Sequence, residues 1–244
     1  MAGRKKPKED QAPAFMTLLR AIASRDESRA IKQIEASPQL ARQVEEVGAT
    51  RRWAADYFFS EITHYIYAGD TALHIAAAAY SLAISRALLA RDASVSARNR
   101  RGAEPLHYAV DGGPDSSSWD PKSQAAVVVC LIEAGADPNS VDKSGVAPLH
   151  RAVRTRCSAA VAKLLVGGAN PLLKNGSGST PLHLAVQNTG RSGSGSSASR
   201  EQQAEIIQLL LKHGARPTDR DAGGSSVTER ATRDWILKIL ASAS

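Results

Sequence analysis

Gly178-Ser-Thr-Pro-Leu-His-Leu-Ala185 has three counterparts in this chain: Gly69-Asp-Thr-Ala-Leu-His-Ile-Ala76, Gly102-Ala-Glu-Pro-Leu-His-Tyr-Ala109 and Gly145-Val-Ala-Pro-Leu-His-Arg-Ala152. Their histidines, His74, His107, His150 and His183, stand 33, 43 and 33 residues apart. Self-similarity at a fixed period of this size is the mark of a repeat architecture. Proline suits the first turn of a helix, where its missing N–H has no partner to lose. The Leu-His-x-Ala run continues that helix with small residues that let neighbours approach closely. A second apolar run follows each block. Val128, Leu131 and Ile132 in one repeat, and Val161, Leu164 and Leu165 in the next, fall at the i, i+3, i+4 spacing of a buried helical stripe. Gly135, Gly168 and Gly214 then occupy the place where a helix ends on a left-handed residue. Repeat one is the weakest match, with Asp92 in the glycine's place and Ser85 where the others have an aliphatic residue.

A four-fold helix–turn–helix unit opening on Pro-Leu-His resembles the ankyrin repeat, over roughly residues 69 to 240. The resemblance implies an all-α ankyrin-repeat solenoid of stacked helix-turn-helix repeats with connecting turns. It implies that His74, His107, His150 and His183 hydrogen-bond backbone between repeats. It also implies that a partner protein is met by the concave side of the first helices and by the turn tips.

The expected organisation is a basic N-terminal arm over 1–13, expected to be disordered, and a single domain over 14–244. Within it come an N-terminal cap at 14–46, an inserted aromatic helix at 50–67, repeats at 68–100, 101–143, 144–176 and 177–222, and a C-terminal cap at 223–244. Terminal repeats of an array are degenerate because one of their faces meets water. Trp235 is expected to cover the last open face. The helix at 50–67 is read from Trp53, Tyr57, Phe58, Ile62 and Tyr65 at three-to-four spacing. That segment either seals the cap onto repeat one or offers an aromatic docking patch. Repeats two and four carry insertions between their paired helices, at 111–122 and 189–199. Each is either a tolerated loop or part of a binding face, and the Gly/Ser-rich second one should be flexible. Trp119 favours function for the first, since an exposed tryptophan is costly. Partial packing with one edge exposed is expected of it.

With 244 residues, 43% of them hydrophobic and 23% charged, the chain has ample material for a core without disulfides or metal. Its two cysteines, Cys130 and Cys157, cannot make a disulfide framework and read as reduced thiols. Cys157 neighbours Arg154 and Arg156, a setting that would lower a thiol's pKa. No stretch reaches the roughly 20 apolar residues of a membrane span, and no signal-peptide core follows the charged N-terminus. A cytoplasmic, monomeric protein is expected. Helices of stacked repeats sit about 8–10 Å apart, so the motif histidines cannot converge on zinc, whose ligands lie about 2.0–2.1 Å from the ion. No nucleophile elbow, P-loop or dinucleotide fingerprint is present. No enzyme, cofactor or metal is therefore expected. The net charge of +7 is spread over arm and body. Candidate partner-binding residues are Arg98, Arg100, Arg101, Trp119, Lys143, Arg151, Arg154, Arg156 and Lys174, read as a basic ridge for an acidic protein surface. The alternative is a nucleic-acid-associated protein using the basic arm and the same ridge.

Overall fold

The computed structural model describes residues 14–114, 119–188 and 196–242. The N-terminal arm and most of the Gly/Ser insertion lie outside them. Two layers of short helices run through the molecule. The first helices of the successive units are α1 (Ala14–Ala23), α3 (Ala72–Ala78), α5 (Pro105–Ala109), α7 (Pro148–Arg154), α9 (Pro181–Ala185) and α11 (Val227–Arg230). The second helices are α2 (Glu27–Ala36), α4 (Leu82–Leu89), α6 (Pro121–Glu133), α8 (Ser158–Val166), α10 (Ser197–Lys212) and α12 (Asp234–Ala241). Each helix packs on counterparts in neighbouring units, and in all but the C-terminal unit on the other helix of its own pair. The core is the seam between the layers. It holds Leu18, Leu73, Leu106, Leu149 and Leu182 from the first helices, and Ile34, Leu88, Leu131, Leu164 and Leu210 from the second, all buried. Ile132 is only half-buried.

The motif histidines account for much of the stacking. Their Nδ1 atoms accept from the N–H of the residue preceding each helix: Thr71 (3.1 Å), Glu104 (3.1 Å), Ala147 (3.2 Å) and Thr180 (3.4 Å). An acceptor at Nδ1 leaves the proton on Nε2. Nε2 then donates to a carbonyl of the following unit: Ala103 (3.1 Å), Val146 (3.0 Å), Ser179 (3.3 Å) and Ser225 (3.3 Å). One side chain thus caps its own helix and ties it to the next repeat. Burial pushes the pKa of His74 and His150 down and that of His107 to about 4, which keeps these rings neutral. In the C-terminal unit Glu229 holds the histidine's position. Its carboxylate accepts from the Ser226 N–H at 2.7 Å, while the Ser226 hydroxyl accepts from the Glu229 N–H.

Segment 50–67 departs from the expected helix. It holds a 3-10 turn at Ala55–Tyr57 and a hairpin of β1 (Phe58–Phe59) and β2 (His64–Tyr65), paired Phe58 to Tyr65 and Phe59 to His64. Burial alternates with period two: Phe58 is exposed and Phe59 buried, Tyr65 exposed and Ile66 buried. Thr63 reverses the chain at φ +50°, incompatible with a continuing helix. The β-favouring run Tyr-Phe-Phe and Ile-Thr-His-Tyr-Ile-Tyr outweighed the helical spacing. The hairpin seals the cap, since Phe59 and Ile66 join the common core.

Both insertions are partly spent on helix. α6 has 13 residues and α10 has 16, against 9 in α8, so their N-terminal turns come from inserted sequence. The start of the first insertion is pinned. The Tyr80 hydroxyl donates to the Asp111 carbonyl, and Thr155 Oγ1 donates to that of Val110 at 2.9 Å. Gly112 is required beside them, because it sits at φ +95° and a Cβ there would overlap the Tyr80 hydroxyl.

Candidate partner-binding face

In repeats two and three the residue after the motif histidine reaches a carboxylate at or beside a turn tip. Tyr108 sends its hydroxyl to Asp70 Oδ2 (2.9 Å), and Arg151 sends Nη2 to Asp142 Oδ2 (3.0 Å). The turn tips are built alike. Asn99, Asp142, Asn175 and Asp221 each stand three residues before a left-handed glycine and accept from the N–H groups two and four residues on. Backbone bonds join successive tips, Lys143 N–H to the Arg101 carbonyl (2.9 Å) and Gly176 N–H to that of Ser144 (3.0 Å). First helices and tips together line one continuous face.

The hairpin lies over the N-terminal part of this face. The His64 ring stacks on Tyr108 with centroids 4.2 Å apart, and Tyr108 is 1% exposed. His64 Nε2 meets Asp111 Oδ2 at 3.0 Å, and its Nδ1 meets the Tyr65 carbonyl at 2.9 Å. Both ring nitrogens face acceptors, an arrangement that favours the imidazolium form. Arg151 Nη1 approaches the same Asp111 oxygen at 3.2 Å. A row of alternating charge results: His64, Asp111, Arg151, Asp142. Burial opposes charge on His64, but the Asp111 hydrogen bond and charge outweigh it and raise its pKa. Burial likewise opposes charge on Asp111, and His64 and Arg151 reverse that, lowering its pKa.

The predicted basic ridge is divided by this geometry. Arg156 is a correction: it is 6% exposed and inside the stack, donating from Nη1 to the Ala185 carbonyl (3.2 Å) and from Nη2 to that of Gln187 (2.9 Å). Desolvation lowers its pKa to about 10. It holds the repeat position of Tyr80, six residues after the motif histidine. Both residues are left-handed, at φ +61° and +55°, and both reach a carbonyl of the next repeat. That shared position, a long polar side chain at the inter-helix turn, was the available signal. Arg151 is half-buried and held by two carboxylates. Arg98 pairs with Glu104 at 2.9 Å and reaches Ser140 Oγ at 2.8 Å. Arg100 binds the Ala49 carbonyl, Arg101 the Tyr67 hydroxyl (3.0 Å), and both guanidinium groups lie 5.1 Å from the Tyr67 ring centroid. Lys143, Arg154 and Lys174 are exposed and make no ion pair among the described residues.

Trp119 is half-buried against the core, its Nε1 donating to Gln124 Oε1 at 2.9 Å. Its indole borders Cys157. That thiol is also a correction: burial pushes its pKa up, against the lowering that its arginine neighbours suggested. Both cysteines are buried and unbridged. Among the described residues no group of three or more His, Cys, Asp or Glu side chains is placed to hold a metal ion.

Stacked helix pairs joined by projecting turns define a helical repeat protein. Residues 122–221 match the sequence model described as ankyrin repeats (3 copies), and residues 68–100 match that of an ankyrin repeat. The chain belongs to the ankyrin-repeat family. The unmatched gap between the two, 101–121, holds the first helix of repeat two and its insertion. No curated protein matches the chain. Ankyrin repeats generally mediate protein–protein interaction and are typically non-catalytic. No helix among the described residues is long and apolar enough to cross a membrane.

Proposed function

We propose that the protein is a non-catalytic, cytoplasmic interaction module, or adaptor, that holds an acidic surface of a partner protein against the basic part of its face around repeat three, between the tips that carry Lys143 and Lys174. One observation carries this reading. The carboxylates of that face, Asp111 and Asp142, are already consumed by His64 and Arg151, whereas Lys143, Arg154 and Lys174 stand exposed with no ion pair among the described residues. The uncompensated charge of the face is therefore positive, an arrangement that speeds encounter with an acidic partner. Arg98, Arg100 and Arg101, tethered at the neighbouring tips, supply the rim. Trp119, half-buried, keeps one edge open for a partner beside repeats two and three.

The test is the triple variant Lys143→Glu, Arg154→Glu, Lys174→Glu. A partner captured by the wild type should associate with it at least about tenfold more slowly at low salt, with the loss shrinking as salt rises. The denaturant midpoint should stay close to that of the wild type. An unchanged association rate at low salt would remove the basic face from the account.

A further inference from the structure

The hairpin does more than close the cap. Phe59 and Ile66 suffice for sealing, yet the strand also carries His64 onto Tyr108, across the surface where a bound partner would otherwise lie. We propose that this hairpin is an autoinhibitory latch: it occupies the concave face of repeats one and two as a bound segment would, and protonated His64 clamped on Asp111 holds it there. The latch rests on the reading of the concave face as the partner site, and it sets how much of that face a partner can reach.

The clamp joins three elements distant in sequence. His64 comes from the hairpin, Asp111 from the turn after α5, and Arg151 from α7. At its base the hairpin is tied to the preceding segment, where the Ala49 N–H donates to the Ile66 carbonyl at 2.6 Å and Gly48 bridges to Tyr67, so its tip is the less bonded part. The ladder is two residues long on each side, and the Ile66 N–H donates to the Tyr57 carbonyl at 2.8 Å. An isolated two-stranded hairpin is marginal in water, so tertiary contacts decide whether it stays down. The outward face is not held: Phe58 and Tyr65 pack on each other at 4.9 Å and are 39% and 40% exposed.

The charges around His64 set the direction of the switch. Asp111 touches it, and Asp70, ahead of α3, adds a second favourable negative charge. Against these stand His74 on α3, held neutral by burial, and Arg151, whose own charge is matched by Asp111 and Asp142. Glu61, in the hairpin's own turn, accepts from the Ser60 hydroxyl. With the folded pKa of His64 above its ordinary 6.5, the clamp is complete below pH 6.5 and is lost as pH rises through the folded value. Asp111 closes the window from the acid side, since its own pairing is lost as pH falls below 3.8 through its depressed value. Solution below pH 6.5 therefore shuts the latch, and solution above the raised folded pKa of His64 loosens it from Tyr108 and adds repeats one and two to the accessible face.

Hydrogen exchange with mass spectrometry on the isolated full chain tests this without any partner, so its failure is distinct from failure of the basic face. Protection factors, corrected for intrinsic exchange, should fall severalfold between pH 6 and pH 8.5 for peptides spanning 57–66. Those spanning α8 should hold. His64→Gln keeps a hydrogen bond to Asp111 but cannot titrate, and its hairpin protection should not change over that range. Asp111→Asn should move the wild-type midpoint to lower pH. Protection in the wild type that ignores pH, or that falls equally in His64→Gln, would overturn the latch.

Discussion

Arg156 and the motif histidines show two ways in which a polar side chain can be buried in the same stack. Each histidine is buried and satisfied at both nitrogens, a role that the repeated Pro-Leu-His block made readable without coordinates. Arg156 carries a charge into the same stack with no carboxylate beside it. Carbonyl oxygens alone receive its Nη groups, and its Nε has no partner among the described residues. Sequence reading counted it as surface because arginine is almost never fully buried unless paired. Gln203 backs it by donating to the same two carbonyls, at 2.7 and 2.9 Å. Arg156→Met should therefore cost only about 1.5–3 kcal/mol, the range for hydrogen bonds to a charged group. Urea titration of the variant would measure it. Association with the partner should be unaffected, which separates Arg156 from Lys143 and Arg154.

Elements were legible where one face is buried and the pattern repeats. The helices of repeat three fall where the 3.6-residue periodicity put them, whereas those that follow the two insertions begin earlier than expected, and Leu164, in α8, is fully buried. Leu164→Ala should lower stability by about 2–5 kcal/mol through lost burial and the cavity left behind. A denaturant midpoint equal to that of the wild type would contradict the packing of α8 on α6. The hairpin was not legible for a physical reason. Trp53, Tyr57, Phe58, Ile62 and Tyr65 satisfy a helical spacing, but the aromatic run is dense enough to satisfy strand alternation as well. Tertiary demand then decided between them. Phe59 and Ile66 had to enter the core while His64 reached Asp111, more than 40 residues away in sequence. No local signal encodes that contact. The abundance of basic residues around repeat three was readable, but the partition of its arginines between surface and interior was not.

At the scale of the whole molecule the histidines make stability pH-dependent in a direction that can be worked out. His74, His107 and His150 have folded pKa values below the unfolded value of about 6.5, chiefly through burial. Between the two values the unfolded chain binds more protons, so stability falls as the solution is acidified. Their contribution is present above pH 6.5 and is lost as pH drops through the folded values. For His107, shifted to about 4, the loss alone amounts to about 3 kcal/mol at full effect. His64 runs the other way, contributing below pH 6.5 and fading above its raised pKa. The opposing slopes place maximal stability near neutrality. Neighbouring repeats share the histidine bonds, and an array's stability is roughly the sum of unit and interface contributions. Loss of one bond therefore weakens the stack at that junction. Urea midpoints taken from pH 7 down to pH 4.5 should fall steadily in the wild type. In His107→Gln the midpoint should start lower at pH 7, because the cap and the Val146 bond are weakened, and should fall less steeply with acid. A variant that keeps the full wild-type slope would show that His107 does not titrate between the folded and unfolded states.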